Sequence, residues 1–317
     1  METGDYPLVK NPCLCGKNQD VLIATRDRYN IPIKTMLCTA CGLMRSDPYY
    51  NEKALSEFYK NDYRQLYTGN EQATESFFTE QKGFGKYIYD FLSGNIFKPE
   101  IKGKKVFEVG CGAGGILETF REHNNEVFGC DYGETYIEFG KQKGLNLVAG
   151  DSSSLLQFGK ADIIILNHTL EHMKNPQREL LKIRELLSPG GLLYIALPGI
   201  YSIHDTYRGN LMGYLQNAHI WYFTLKTLNS LLAKSGFQMI VGNEIIMSAY
   251  KISESNHPLE LESYEKIQAY LKKIKNLRWY YNLKKFSPRH TAFETLRKFP
   301  VLYRVTRTLY RKLKKIQ

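Results

Sequence analysis

Long apolar runs are missing from this sequence: no stretch approaches the roughly 18 residues that a membrane-spanning helix needs. Nothing near Met1 reads as a basic segment followed by an apolar one, so a secretory leader is not expected. Both absences point to a cytoplasmic protein. Cysteine is sparse too, six in 317 residues, which is too few for a disulfide-built secreted scaffold. Four of the six fall into two close pairs near the N-terminus, an arrangement that suits a metal in a reducing compartment. Internal repeats and long low-complexity linkers are also lacking, which excludes solenoids and arrays.

Acidic residues are nearly missing from the C-terminal end, so the net charge of +11 is unevenly spread. From Lys272 to Gln317 there are fifteen Lys and Arg against one acid, Glu294, a net +14 that leaves the first 271 residues at −3. The body is mildly acidic. The basic character belongs to one appendage and does not mark the whole chain as a nucleic-acid binder.

What is present divides into four segments, 1–50, 51–100, 101–255 and 256–317. The first carries the cysteine pairs among short β-type runs, Val21 to Ala24 and Ile31 to Leu37, the pattern of a small metal ribbon. The second is rich in Tyr and Phe and reads as a helical lid or bridge, with Leu55, Phe58 and Tyr59, then Phe84, Tyr87, Ile88 and Phe91, at helical spacing. From Lys104 the pattern alternates between strand and helix. Strands are predicted over Val106 to Val109, Val127 to Cys130, Leu147 to Ala149, Ile163 to Leu166 and Leu192 to Leu197. One helix has clear punctuation, with Asn175 as N-cap, Pro176 at its first position and Ser188-Pro-Gly-Gly191 as its stop. A helix over Thr224 to Ser235 and a closing hairpin from Phe237 to Val241 and Ile245 to Tyr250 complete the segment. This order predicts an α/β fold with a doubly wound parallel sheet.

After the first of these strands comes Glu108-Val-Gly-Cys-Gly-Ala-Gly-Gly115. Glycines there let a backbone approach a ligand closely, and the following helix offers unpaired N–H groups. The run also satisfies G-x-G-x-x-G, so the turn alone does not choose between a dinucleotide and S-adenosylmethionine (SAM). The acids discriminate. Glu108 can receive the cationic amino group of SAM, whereas a pyrophosphate would be repelled by it. Asp131 is placed for ribose hydroxyls, and Asp151 for the adenine amino group. Together with Leu166-Asn-His-Thr-Leu-Glu-His172 and Leu187-Ser-Pro-Gly-Gly191, these residues resemble the class I SAM-dependent methyltransferases over 104–250. The resemblance implies a mostly parallel seven-stranded sheet and cofactor contacts from Glu108, Gly110, Cys111, Gly112, Gly114, Asp131, Tyr132, Asp151, Ser152 and Asn167.

Cys13-x-Cys15-Gly and Cys38-x-x-Cys41-Gly offer four thiolates that can close tetrahedrally on Zn²⁺. With no open coordination position, the role is structural. This N-terminus, with Cys-Gly-Leu at 41–43, Pro48, Phe58-Tyr59 and Tyr63-Arg64, resembles the zinc-binding module of bacterial sugar and surface-glycan methyltransferases over about residues 11–70. The zinc site and cofactor domain are carried over; C-methylation is not, because related enzymes with such a module are longer.

Methyl transfer rests largely on orientation, with a general base added for a neutral hydroxyl. Candidates are His168, Glu171, His172 and His219. The plain reading of Glu171-His172 is that it orients a loop; the sharper one is a second divalent metal on His168, Glu171, His172 and His219, with 168, 171 and 172 on one face of a helical turn. The latter is similar to the E-x-x-E-H arrangement of ubiquinone-pathway and small-RNA O-methyltransferases, with His in place of the first Glu. His219-Ile-Trp-Tyr-Phe-Thr224 is similar to an acceptor-side element of that family, which favours His219 as a site-lining residue.

From Val301 to Ile316, Leu302, Val305, Leu309, Leu313 and Ile316 recur at helical spacing among Lys and Arg, predicting a basic amphipathic helix. Peripheral contact with the inner face of the cell membrane would suit an acceptor on a lipid carrier. The leading expectation is methyl transfer to a hydroxyl, ahead of carbon or nitrogen, of a small-molecule or lipid-linked sugar or glycan precursor. Alternatives are an RNA or small-molecule O-methyltransferase and a non-catalytic SAM-fold scaffold. No recognised RNA-binding module accompanies the tail, so nucleic acid is not the expected partner.

Overall fold

A computed structural model describes residues 6–69, 72–254 and 261–285. The expected helix at Val301 to Ile316 lies outside them. The N-terminal part comprises β1 (Leu8–Val9), β2 (Asp20–Arg26), β3 (Pro32–Cys38), β4 (Met44–Ser46) and β5 (Tyr49–Tyr50). Three helices follow, α1 (Glu52–Asn61), α2 (Tyr63–Thr68) and α3 (Glu75–Leu92). Then come β6 (Lys105–Val109), α4 (Gly115–Glu122), β7 (Glu126–Asp131), α5 (Glu134–Gln142), β8 (Asn146–Ala149) and β9 (Ala161–Asn167). The chain continues through α6 (Pro176–Leu186), β10 (Leu187–Ala196), α7 (Ile203–Thr206), α8 (Leu211–Tyr214) and β11 (Trp221–Tyr222). It closes with α9 (Leu225–Lys234), β12 (Phe237–Gly242), β13 (Met247–Ile252) and α10 (Tyr264–Lys285).

The main sheet has seven strands in the order β12-β13-β10-β9-β6-β7-β8. The pairs β8–β7, β7–β6, β6–β9 and β9–β10 are parallel, while β13 runs antiparallel to both β10 and β12. This is the methyltransferase fold that the strand–helix alternation predicted. Helices cover both faces, so the central strands are apolar on both. Phe107, Ile164, Leu166 and Leu193 face one core, and Val106, Ile163, Ile165 and Tyr194 face the other. The chain leaves β6 toward β7 and leaves β9 toward β10, in opposite directions. A crevice therefore opens at the C-terminal ends of β6 and β9.

Local signals hold where capping chemistry is decisive. The Asn175 side chain accepts from the Arg178 N–H with Pro176 at the first turn, and Thr224 with Thr227 forms a capping box for α9. Ser188 to Gly191 differs from the expectation of a simple stop: the strand already begins at Leu187, paired with Ala161, and the register shifts before Leu192, so these residues form an irregularity inside β10. The helical face expected on α3 holds for Ile88 and Phe91, which pack against the core, but not for the other two positions. Phe84 and Tyr87 are exposed, while Phe78, Gly85, Ile88, Tyr89 and Leu92 are buried. The reason is the close crossing of α3 and α4, where a Cβ on Gly85 would lie 2.5 Å from Thr119 Oγ1.

The cysteine segment does not complete its own sheet. Its four strands run β11-β4-β3-β2, with Trp221 paired to Arg45 and Tyr222 to Met44. The edge strand thus comes from the far end of the chain. Arg45 is fully buried and held by Asp20 at 2.7 and 2.9 Å, Asp47 at 3.1 Å and the Asn11 carbonyl at 2.7 Å. α10 packs Ile267, Leu271 and Ile274 against Leu37, Met44, Ile200 and Tyr214.

Candidate active site

The glycine turn wraps the C-terminal end of β6. Gly110, Gly112 and Gly114 have φ of 76°, 55° and 81°, in the left-handed region that favours glycine. A Cβ on Gly110 would meet Thr169, which follows β9, at 2.7 Å. The turn is held by Asp131 at the end of β7, whose two carboxylate oxygens accept from Gly112 N–H at 2.9 Å and Gly133 N–H at 2.7 Å. Asp131 thus stands at the C-terminal end of β7, beside the turn it holds.

Glu108 lies just beneath. It is 1% exposed, and its Oε2 is buried with no hydrogen-bond partner. Burial first, and then the neighbouring Asp131 carboxylate, pushes its pKa well above the usual carboxylate range. An unpaired buried carboxylate is costly unless a cation comes to it, so these residues fit the ammonium-bearing end of SAM.

The other expected cofactor residues are arranged unevenly. Asn167 ends β9 at the crevice, and Tyr132 is exposed beside Asp131. The Cys111 side chain packs into the core against Gly129, so only its backbone belongs to the turn. Asp151 accepts from Ser153 N–H at 3.0 Å and from Lys182 Nζ at 2.9 Å. Despite partial burial, which opposes it, the Lys182 contact and the Ser153 hydrogen bonds hold its pKa below the ordinary value. The Ser152 hydroxyl is buried and donates to Glu179. One residue that sequence reading missed is Gln81 of α3. Its Nε2 donates to the Cys111 carbonyl at 3.0 Å, and its Oε1 accepts from Gly115 N–H at 3.3 Å, so α3 forms a wall of the turn. No motif marks it; only the α3–α4 packing places it there.

Beyond the crevice, Glu171 is 1% exposed and neither carboxylate oxygen has a hydrogen-bond partner. Three imidazoles face it: His168 Nδ1 at 3.5 Å, His172 Nε2 at 3.9 Å and His219 Nε2 at 3.9 Å. The expectation of one helical face for 168, 171 and 172 is corrected. The short 3₁₀ turn spans only Leu170–His172, and His168 precedes it with φ of 52°. His168 is half exposed and reaches Glu171 from outside the turn. His172 Nδ1 lies 2.8 Å from Tyr59 Oη and 3.0 Å from the Ala218 carbonyl oxygen, and Tyr63 packs edge-on against the ring. His219 is buried, and burial first, then the charges of His172, His168 and Arg28, pull its pKa well below 6.5. It is a neutral imidazole at physiological pH, fit to accept a proton. Arg28 is a further residue the sequence did not single out, and Tyr59, noted there only for its helical spacing and its place in the Phe58-Tyr59 pair, reaches the cluster from another segment.

Glu171, His172 and His219 each place a donor atom within 4.8 Å of the others, so among the described residues they form one of two candidate metal groups. The second is Cys13, Cys15, Cys38 and Cys41. Sulfur separations of 3.5 Å (Cys13–Cys41 and Cys13–Cys15) and 3.7 Å (Cys15–Cys38) approach the edge of about 3.8 Å that a tetrahedron with Zn–S bonds of about 2.3 Å requires. All four are free thiols. Gly16 and Gly42, at φ of 77° and 71°, turn the backbone after each pair. The donor set and geometry fit a structural Zn²⁺.

Comparison with known proteins gives a domain match and partial relatives. Residues 86–241, just under half of the chain, match the family model described as a methyltransferase domain. A ubiquinone biosynthesis O-methyltransferase of Coxiella burnetii is 34% identical over 103 residues, 30% of this chain and 44% of that protein. Its counterpart in Idiomarina loihiensis is 25% identical over 126 residues, 37% of this chain and 50% of that protein. The chain thus spans half or less of the length of these curated relatives. Among solved structures, the 1,6-didemethyltoxoflavin-N1-methyltransferase of Burkholderia thailandensis, with S-adenosylhomocysteine bound, aligns with a TM-score of 0.49 at 14% identity, covering 75% of this chain and all of that one.

Proposed function

We propose, from the methyltransferase domain at residues 86–241, that this protein is a SAM-dependent methyltransferase acting on a hydroxyl of a small-molecule acceptor. The observation that carries the reading is the buried, unpartnered Glu108 carboxylate beneath the glycine turn at the β6–β9 crevice. When bound there, SAM supplies a methyl group on a positively charged sulfur. Glu108 takes the ammonium, Asp131 takes the ribose hydroxyls while holding the turn, and Asp151, Tyr132, Ser152 and Asn167 line the remainder. Such a retained anionic cradle also disfavours a non-catalytic scaffold.

The acceptor side is assigned to His219, with Glu171 and His172 behind it. Neutral His219 would accept the hydroxyl proton, while SAM held by Glu108 and Asp131 would supply the methyl group from its sulfonium and leave as S-adenosylhomocysteine. Glu171, buried and 3.9 Å away, then stabilises the imidazolium, and His172 positions both through the Ala218 carbonyl. A sugar or glycan precursor, free or lipid-linked, is the acceptor class that the N-terminal cysteine module supports, with the basic tail as a contact to an anionic membrane. Among the described residues no helix is long and apolar enough to cross a membrane.

A second reading has its own observation. The Glu171, His172 and His219 group brings three possible ligand atoms within 4.8 Å of one another, a donor set that fits a divalent ion. In that case the acceptor would be a diol or catechol, in keeping with the relatives named for ubiquinone biosynthesis. The deciding experiment measures S-adenosylhomocysteine formation with sugar-type and catechol acceptors, with and without EDTA, alongside calorimetric binding of SAM to wild type and Glu108→Gln. Equal affinity of the two proteins for SAM would overturn the cofactor assignment.

A further inference from the structure

The β2–β3 hairpin of the cysteine segment ends in Asp27-Arg28-Tyr29-Asn30, and this tip is fastened beside the histidine cluster. Asp27 is buried; its Oδ1 accepts from Tyr29 N–H at 2.8 Å and Ile31 N–H at 2.9 Å, and its Oδ2 accepts from Asn217 N–H at 3.0 Å. Arg28 N–H donates to the Leu215 carbonyl at 3.0 Å. Two successive residues of the hairpin are thus bound to 215 and 217, immediately before His219.

The Arg28 side chain is then left in an unusual condition. Its Nε and Nη2 are both inaccessible to solvent and neither has a hydrogen-bond partner. These two nitrogens share one edge of the planar guanidinium, the edge that binds two oxygens of a carboxylate or phosphate side by side. Arg45 in the same segment shows the contrast, since its Nε, Nη1 and Nη2 are all paired. Nor does Glu171 complete Arg28, because neither Glu171 oxygen accepts a hydrogen bond. The guanidinium hydrogen-bonds the Tyr207 hydroxyl and lies 5.9 Å from the Tyr29 ring centroid, and its charge reaches His219 and Tyr222, which puts it beside the histidine cluster. A cation held on a braced hairpin with one whole fork edge unmet is an incomplete oxyanion site.

We propose that Arg28 binds an anionic group of the acceptor, so that the substrate carries a phosphate or carboxylate in addition to the hydroxyl that is methylated. This rests on the preceding reading only for the identity of the acceptor side; anion binding itself requires no methyl transfer. It also gives the cysteine segment a function beyond folding. The hairpin on which Arg28 stands is the one whose second strand ends at Cys38, so the metal group braces the recognition residue.

The test titrates the full chain with inorganic pyrophosphate and, separately, with malonate at constant ionic strength, using calorimetry. Wild type, Arg28→Gln and Arg28→Lys are compared, and S-adenosylhomocysteine affinity is measured on the same samples. We expect saturable binding of one anion by wild type, with the preferred one distinguishing a phosphate from a carboxylate acceptor. Arg28→Gln should weaken it at least tenfold, and Arg28→Lys should fall between, keeping the charge but losing the fork. S-adenosylhomocysteine affinity should be unchanged in all three, which also reports that the variants are folded. Absence of saturable binding of either anion by wild type, or equal anion affinity in wild type and Arg28→Gln, would overturn the inference. Anion binding that is intact in a protein unable to bind S-adenosylhomocysteine would instead strike the proposed function and leave this inference standing.

Discussion

The Ser46 hydroxyl donates to the carbonyl of His219 at 2.9 Å, across 173 residues of sequence. Ser46 N–H also donates to the Ile220 carbonyl at 2.9 Å, and Tyr49 Oη donates to the Asn217 carbonyl at 2.8 Å. The segment bearing the candidate base is therefore an edge of the sheet built by the cysteine segment. A candidate site residue within the matched domain thus takes its position from a separate sheet.

Metal removal should accordingly reach the site. Elemental analysis is expected to find about one zinc per chain, and Cys38→Ser should lose it, lower the melting temperature and reduce turnover. SAM affinity should change by no more than a few fold, since Glu108 and Asp131 stand on the main sheet. A zinc-free protein with normal turnover would contradict this coupling.

Glu108→Gln should separate stability from function. Because the folded-state pKa of Glu108 is raised above 4.5, the folded protein holds a proton that the unfolded chain loses. The stability it contributes is present at acid pH and is lost as pH rises above about 4.5. Glutamine removes that loss, so the unliganded variant should melt higher near pH 7 while binding SAM at least tenfold more weakly. Wild type should also release a proton on binding SAM, read as a dependence of binding heat on buffer ionisation enthalpy; a heat independent of buffer would count against a protonated Glu108.

His219 has the opposite sign. Its folded-state pKa lies below 6.5, so the stability from burying the neutral ring is full above pH 6.5 and declines as pH falls below it. The acid limb of kcat/KM is expected below pH 6.5. His219→Gln should reduce kcat by about 100- to 10,000-fold, the usual contribution of a general base, with SAM affinity little changed. A limb at or above pH 6.5 would assign the base elsewhere.

Truncation after Lys285 tests the tail. A cut near Asn256 would remove Ile267, Leu271 and Ile274, which are buried against the body, and so confuse folding with binding. The shorter cut removes only 286–317. It should abolish co-sedimentation with anionic vesicles and spare turnover on a water-soluble acceptor; equal pelleting of both chains would exclude tail anchoring.

The candidate cofactor site is written in local signals. A glycine turn after an apolar strand, acids at strand ends, and an Asn-Pro helix start each involve residues within a few positions of one another, so Glu108, Gly110, Gly112 and Asp131 could be named from their spacing. The cysteine pairs are legible for the same reason, since ligand spacing within each pair is a local property. The acceptor half is different. Gln81 and Arg28 carry no motif, and the Phe58-Tyr59 pair gives no sign of the His172 contact, because each meets its partners only after helices cross or a hairpin docks. On α3, Phe84 and Tyr87 share helical spacing with Ile88 and Phe91 yet are exposed, while Phe78, Tyr89 and Leu92 pack inward with Ile88 where α3 crosses α4. Trp221 and Tyr222 read as part of the cofactor domain but close the sheet of the cysteine segment, since an unpaired strand edge is satisfied by whichever chain lies beside it in space. Sequence spacing encodes what a short backbone segment can do, whereas the neighbours of Glu171, His219 and Arg28 are set by long-range packing.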